Sequence, residues 1–252
     1  MTATCLNGDC LELMKTLPDK SVDLFLCDLP YGCLKGGGFK RNTGTYDTVG
    51  CSWDIKIDLV AFWEHVKRLC KNENTPVLMF CNTRFGADLI NSNPSWFRYD
   101  IVWNKQSGTH FLDANRRPMT SHEMIYVFSK KVALYNRIDH FVEGKNGYIY
   151  KNKTVRGGSC FGMNTGRKDL KQEPGMRCPL SVLNFNMKRD KRHPTAKPVE
   201  LLKWLIERYS NEGDTVLDPT AGSFNSGRAA VELGRNYIGM EMNADFYEKN
   251  KL

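Results

Sequence analysis

Between Thr215 and Glu241 the chain spells out a strand, a glycine-bearing loop, a helix, a second strand and an acid, and few folds accept that order. Thr215-Val216-Leu217-Asp218 is a short apolar strand. Pro219-Thr220-Ala221-Gly222-Ser223-Phe224-Asn225-Ser226-Gly227 is a tight loop of mostly small residues. Arg228 to Leu233 has helical character and stops at Gly234, and Tyr237-Ile238-Gly239-Met240 leads into Glu241. In a doubly wound α/β sheet such a loop lets a nucleotide-like ligand approach the backbone, and the acid accepts hydrogen bonds from ribose hydroxyls. The loop lacks the Gly-x-Gly-x-x-Gly spacing of dinucleotide sites and the Gly-Lys-Ser/Thr of phosphate loops. The ligand therefore need not carry phosphates. An adenosine with a charged amino-acid tail suits it, with Asp218 meeting an ammonium and Glu241 a ribose. The plainer alternative is a βαβ crossover that binds nothing.

A second constellation lies near the start. The apolar run Val22-Asp23-Leu24-Phe25-Leu26-Cys27 reads as a buried strand and ends in Asp28-Leu29-Pro30-Tyr31, followed by Gly32. The Asp28 carboxylate and the Leu29 carbonyl can each accept one N–H of an exocyclic amine. Pro30 fixes the turn and Tyr31 offers a stacking face. Alone, these four residues could simply end a strand. A third element, His193-Pro194-Thr195-Ala196-Lys197-Pro198, precedes a helix with Pro198 at its first position and Leu201, Leu202, Leu205 and Ile206 on its apolar face.

Strands are expected at 2–5, 22–27, 77–81, 99–103, 124–129, 215–218 and 237–241, and helices at 10–16, 58–70, 84–91, 198–210 and 226–233. This alternation predicts an α/β, doubly wound, mostly parallel sheet with helices on both faces. Ligands in such sheets collect at the carboxyl ends of strands where the order reverses, and Asp28, Asp218 and Glu241 all belong there.

In that order, the three elements resemble the β-class amino DNA methyltransferases, which use S-adenosylmethionine. Asn7-Gly8-Asp9-Cys10-Leu11-Glu12, Tyr99 to Lys105, His122 to Phe128 and Pro179 to Leu183 extend the resemblance over most of the chain. It implies a Rossmann-like methyltransferase core, circularly permuted. Residues 1–130 would form its catalytic part, 131–192 a basic, loop-rich target-recognition insert, and 193–252 the cofactor-binding part. Asp28, Leu29, Pro30 and Tyr31 would hold the target amine. Asp9, Cys10, Asp28, Lys197, Asp218, Thr220, Gly222, Ser223, Glu241 and Met242 would line the cofactor site. The implied reaction is methyl transfer to the N6 amine of adenine in double-stranded DNA, after the base leaves the stack. Cytosine N4, RNA adenine and a domain that binds nucleic acid without turnover are the alternatives. Many members carry Pro where Leu29 stands, and Gly-Ser-Gly where this chain has Gly222-Ser223-Phe224. Homodimers are common in the family.

The formal net charge of +8 is unevenly spread. Residues 130–193 hold 15 Lys or Arg against 5 Asp or Glu, leaving 21 against 23 elsewhere. That basic stretch suits phosphate contact, although charge runs are often just solvated surface. His110, Arg116, Arg117, Lys188, Arg189, Lys191 and Arg192 are the expected nucleic-acid contacts. Gly36-Gly37-Gly38, with Lys35, Lys40, Arg41 and Tyr46 nearby, reads as a surface loop or a lid. Trp63, Trp103 and Trp204 read as core. The nine cysteines show no metal-ligand spacing, which suggests buried free thiols, a reducing compartment and no metal. No apolar stretch approaches a membrane span, and no secretory signal is evident. The expected setting is the cytoplasm of a bacterium, or a phage or viral equivalent.

Overall fold

Neighbouring residues of one buried strand face two different cores. The structure, a computed structural model, describes residues 1–32, 54–150, 170–187 and 192–252. In chain order its first elements are β1 (Ala3–Asn7), α1 (Cys10–Lys15), β2 (Leu24–Cys27), α2 (Leu59–Leu69), β3 (Val77–Cys81), α3 (Thr83–Ser92), β4 (Phe97–Thr109) and β5 (Thr120–Phe128). After these come β6 (His140–Phe141), β7 (Tyr148–Tyr150), β8 (Leu170–Gln172), β9 (Met176–Arg177) and β10 (Val182–Asn184). The last are α4 (Val199–Tyr209), β11 (Thr215–Asp218), α5 (Asn225–Glu232), β12 (Asn236–Glu241) and α6 (Ala244–Asn250). Leu24 and Leu26 of β2 join Phe80, Trp103 and the apolar faces of α4 and α5. Phe25 and Cys27 join Met14 of α1, Phe62 and Val66 of α2, and Phe85 of α3. Period-two alternation thus buries the strand on both faces, as a sheet covered by helices on each side requires.

The chain forms two compact units. The larger comprises Met1–Asn136 with Ser181–Leu252. Its eight strands run in the order β1-β12-β11-β2-β3-β5-β4-β10. The first five are mutually parallel, β5 is antiparallel to β3 and β4, and β10 is parallel to β4. The second unit, Arg137–Leu180, contains two small antiparallel pairs, β6 with β9 and β7 with β8.

The doubly wound reading holds, with differences at its margins. β4 runs to Thr109 rather than ending near 103, because it forms a long hairpin with β5 that continues past a register shift between Asn104 and Thr109. β10 is a three-residue edge strand, too short for an alternation to be visible in sequence. α4 begins at Val199, with Pro198 as the residue before the helix. Side-chain caps start four helices: Asp9 on α1, Asp58 on α2, Asn82 on α3 and Asn243 on α6. Trp63 and Trp103 are buried, and Trp204 packs partly buried against the core.

Phe224 stands where the resemblance would often place Gly. It adopts the left-handed conformation, φ 54° and ψ 25°, at the start of α5. Its ring is fully buried and meets the Tyr247 ring edge-on, with centroids 6.2 Å apart. The backbone strain costs roughly 1–2 kcal/mol, and truncating a buried Phe typically costs about 3–5 kcal/mol. Phe224→Gly is therefore expected to destabilise the protein by about 2 kcal/mol, despite relieving the strain. Urea unfolding checks this. A variant as stable as the parent would mean that the ring contributes no net packing.

Candidate active site

The carboxyl ends of β1, β12, β11, β2 and β3 share one edge of the sheet, and a cavity of about 920 Å³ opens there. Parallel pairing of β11 with β2 sets Asp218 beside the turn that carries Asp28. Every residue expected to bind the cofactor or the target amine lines this cavity: Asp9, Cys10, Asp28, Leu29, Pro30, Tyr31, Lys197, Asp218, Thr220, Gly222, Ser223, Glu241 and Met242. Phe224 does not; its ring turns away into the core.

At one end the glycine loop is tied down from several sides. Gly222 has φ +50°, and a Cβ there would come within 3.3 Å of the His193 ring. Its N–H donates to Glu241 Oε2 at 2.8 Å, while Glu241 Oε1 accepts from the Asn243 N–H at 2.8 Å. Buried Asn250 donates to the carbonyls of Gly222 and Arg192, each at 3.1 Å. Asp218 accepts from the Thr220 N–H at 3.1 Å and from the Ser226 hydroxyl, which also meets the Tyr237 hydroxyl at 2.9 Å. Burial pushes the Asp218 carboxyl up to about 7, against the opposing hydrogen bonds from Ser226 and Thr220. Burial also raises Glu241, against the backbone N–H groups it accepts. Thr220 Oγ1 is buried on this wall without a hydrogen-bond partner among the described residues. Two carboxylates, an unpartnered hydroxyl and a left-handed glycine suit a ligand with an ammonium and ribose hydroxyls.

Asp9 and Cys10, which both line the cavity, also have local roles. The Asp9 carboxylate caps α1, accepting from the N–H groups of Leu11 at 2.8 Å and Glu12 at 3.3 Å. Burial pushes the Cys10 thiol up to about 12, so it presents a neutral wall.

At the other end Asp28 is held by two donors. The Tyr31 hydroxyl donates to its Oδ1 at 3.0 Å, and Lys197 Nζ donates to its Oδ2 at 2.6 Å. The Tyr31 ring stacks on Phe85, with centroids 5.2 Å apart and planes 27° apart. Leu29 buries its side chain in the core, and among the described residues nothing donates to its carbonyl. Lys197 also faces Glu123 at 3.4 Å, and Glu123 pairs with Lys105. Four alternating charges thus run Lys105–Glu123–Lys197–Asp28. Burial alone would lower the Lys197 pKa, but Asp28 and Glu123 outweigh it and hold the ammonium above its usual range. Burial alone would raise Glu123, yet Lys197 and Lys105 hold it below the usual carboxylate range. Lys197 Nζ lies 5.1 Å from the centre of the Phe80 ring. The Asn225 amide donates to the Lys197 carbonyl at 3.0 Å, which joins this element to the glycine loop.

The sequence reading missed Lys105, Glu123 and Phe85. The signal for the first two was present: a Lys and a Glu at facing ends of two apolar strands, with Trp103 opposite Glu123 in register. His110 and Arg117 reach the cavity rim, whereas Arg116 and Arg192 do not line it. Lys188, Arg189 and Lys191 lie outside the described residues, as does the glycine-rich stretch at 36–38 with Lys35, Lys40, Arg41 and Tyr46. Among the described residues, no group of three or more His, Cys, Asp or Glu could hold a metal.

A family model described as DNA methylase, of the N6 and N4 methyltransferases, matches residues 22–251. The chain is 30% identical over 254 aligned residues to the type II methyltransferase M.HinfI of Haemophilus influenzae, covering 94% of this chain and 64% of that protein. It therefore spans just under two thirds of the length of that relative. It is 29% identical to the DNA adenine methyltransferase YhdJ of Escherichia coli K12, covering 96% of this chain and 79% of that protein. The crystal structure of an M1.HpyAVI complex with SAM shares the fold, with a TM-score of 0.60 at 20% identity, covering 99% of this chain and 98% of that one.

The charge chain makes a stability prediction. Lys197→Met leaves Asp28 and Glu123 without their shared cation and is expected to cost about 3 kcal/mol at pH 7. The lowered Glu123 pKa stabilises the parent fully above the ordinary value of 4.5, and that contribution is lost as pH falls through the lowered value. With only Lys105 left to oppose burial, the variant should lose less on acidification. Urea unfolding of both proteins across the acid range measures both effects, and parallel curves of equal height would refute them.

Proposed function

Because the chain belongs to the DNA methylase family of N6 and N4 methyltransferases, we propose that it transfers a methyl group from S-adenosylmethionine to the N6 amine of adenine in double-stranded DNA. One observation carries this reading: the amine-binding turn at Asp28 and the acid-flanked glycine loop at Asp218 line one continuous cavity. When bound, S-adenosylmethionine supplies an electrophilic methyl on its sulfonium. Asp218, Thr220 and Gly222 would hold its amino-acid part and Glu241 its ribose. The YhdJ relative, a DNA adenine methyltransferase by name, favours adenine over the cytosine amine.

The residues around Asp28 would act mainly by positioning. A base leaving the stack would lie against Tyr31, whose ring Phe85 braces from behind. The Asp28 carboxylate and the Leu29 carbonyl would each accept one amine N–H, aiming the nitrogen lone pair at the methyl group. Lys197, anchored by Glu123, fixes the Asp28 carboxylate in place. The basic segment 131–192 would contact DNA phosphates, with His110, Arg116, Arg117, Lys188, Arg189, Lys191 and Arg192 contributing. The resemblance also supports a circularly permuted core, a homodimer and a cytoplasmic setting in a bacterial, phage or viral host. No helix among the described residues is long and apolar enough to cross a membrane.

Asp28→Ala is expected to keep cofactor affinity within a few-fold while methyl transfer to unmethylated DNA falls by at least about a hundredfold. Calorimetric titration and a labelled-methyl assay separate the two effects, and near-normal transfer would remove Asp28 from the mechanism. The Asp218 carboxyl, raised to about 7, must ionise to meet an ammonium. Cofactor affinity should therefore be full above that pH and weaken by up to about tenfold for each unit below it. Asp218→Asn should flatten the dependence, and a parent affinity constant from pH 5.5 to 8 would contradict it.

A further inference from the structure

Phe111 and Leu112 are adjacent, large, apolar and about three-quarters exposed, at 75% and 74%. They sit at the tip of the β4–β5 hairpin, in a single 3-10 turn spanning Phe111–Asp113. The tip is an ordered structure. His110 takes the left-handed conformation, φ 66°, to begin the turn. Backbone N–H groups of Asp113, Ala114, Arg116 and Arg117 donate to the carbonyls of His110, Phe111 and Asp113 at 2.8–3.0 Å. Arg117 pairs with Asp113 at 3.0 Å. Water-facing Phe and Leu on so well bonded a turn gain nothing from the fold that holds them.

Their location suggests what they meet. Thr109, His110, Arg117 and Thr120 form the rim of the cavity that holds Asp28 and Tyr31. Phe111 and Leu112 follow the cavity-lining His110 directly in the chain, on the turn that joins it to Arg117. Arg116, beside the Arg117–Asp113 pair, leaves the same tip with a net positive charge, which complements phosphates rather than a second apolar protein surface. A base that leaves a duplex leaves a gap in the stack, and apolar side chains fill such gaps by intercalation.

Resting on the proposed function, we infer that Phe111 and Leu112 form a wedge that enters the DNA duplex beside the flipped base and holds the vacated gap open. Arg116 and Arg117 hold the flanking phosphates. The wedge replaces lost stacking, so its removal penalises only substrates whose target base must first be extracted.

The test uses the Phe111→Ala/Leu112→Ala double variant of the whole chain. The wild-type protein first methylates unmethylated DNA, and the modified positions are mapped by sequencing. Two short duplexes carrying that site are then compared, one fully paired and one with an abasic position opposite the target. Loss of one aromatic stacking partner corresponds to roughly tenfold to hundredfold. The variant is expected to lose at least tenfold in kcat/KM on the paired duplex and to lie within about twofold of wild type on the abasic one. Cofactor affinity and melting temperature should match the wild type, since both side chains are exposed.

Unchanged activity on the paired duplex overturns the wedge. Equal losses on both duplexes also overturn it and make the tip an ordinary contact. A change in oligomeric state on gel filtration would make the patch a protein interface and likewise overturn it. If the wild-type protein methylates no duplex, the proposed function fails, and that failure is visible before the variant is made.

Discussion

The parallel pairing of β11 with β2 is the constraint from which the site follows. Val216 lies beside Leu24 and Leu217 beside Phe25, although the strands come from opposite ends of the chain. Asp23 locks the pairing at its amino end. Its side chain accepts from the Thr215 N–H, 192 residues away, its own N–H donates to the Thr215 carbonyl, and Lys71 pairs with it at 2.9 Å. With the register fixed there, the opposite ends of both strands must emerge side by side. One emerges into the glycine loop and the other into the Asp28 turn. On one side of this junction the sheet continues to β12 and β1, on the other to β3, β5 and β4. A cleft between the two directions of winding is what such a junction produces.

Within that cleft the carboxylates are placed in contrasting electrostatic settings. Among the described residues no cation pairs with buried Asp218, and burial pushes its carboxyl up to about 7. Glu123 is also buried, but two lysines hold it below the ordinary range. Asp28 has Lys197 on one oxygen and the Tyr31 hydroxyl on the other. Among the described residues, the end of the cavity suited to an ammonium thus has no cation paired with Asp218, while at the end suited to a neutral amine Asp28 and Glu123 are matched by Lys197 and Lys105. Lys197 connects the two ends. Its side chain belongs to the amine site, and its carbonyl is held by Asn225 at the start of α5.

Much of this was legible because it depends on local pattern. The short apolar runs around Phe25, Leu217 and Ile238 announced strands, and Asp28, Asp218 and Glu241, which end those runs, lie at strand ends. The less legible features depend on contacts between distant segments. Nothing near Phe224 says that its ring turns inward toward Tyr247; the sequence showed only bulk where many relatives carry Gly. The capping of α1 by the Asp9 carboxylate was not read from the sequence, where Asp9 was expected only to border the cofactor. Lys105 and Glu123 become partners only once β4 and β5 are in register. The stretch 107–118 reads as polar, basic and aromatic, but the length of that hairpin and the exposure of Phe111 and Leu112 at its tip are not visible in it.

The account stands on a single claim, that one cavity brings a methyl donor to an exocyclic amine of DNA. Nucleoside mass spectrometry of unmethylated DNA incubated with the purified protein and S-adenosylmethionine tests it most directly. The account predicts N6-methyladenine. N4-methylcytosine would preserve the chemistry and overturn the choice of base. DNA left without any methylated base, by a protein shown to bind S-adenosylmethionine, would contradict the claim itself.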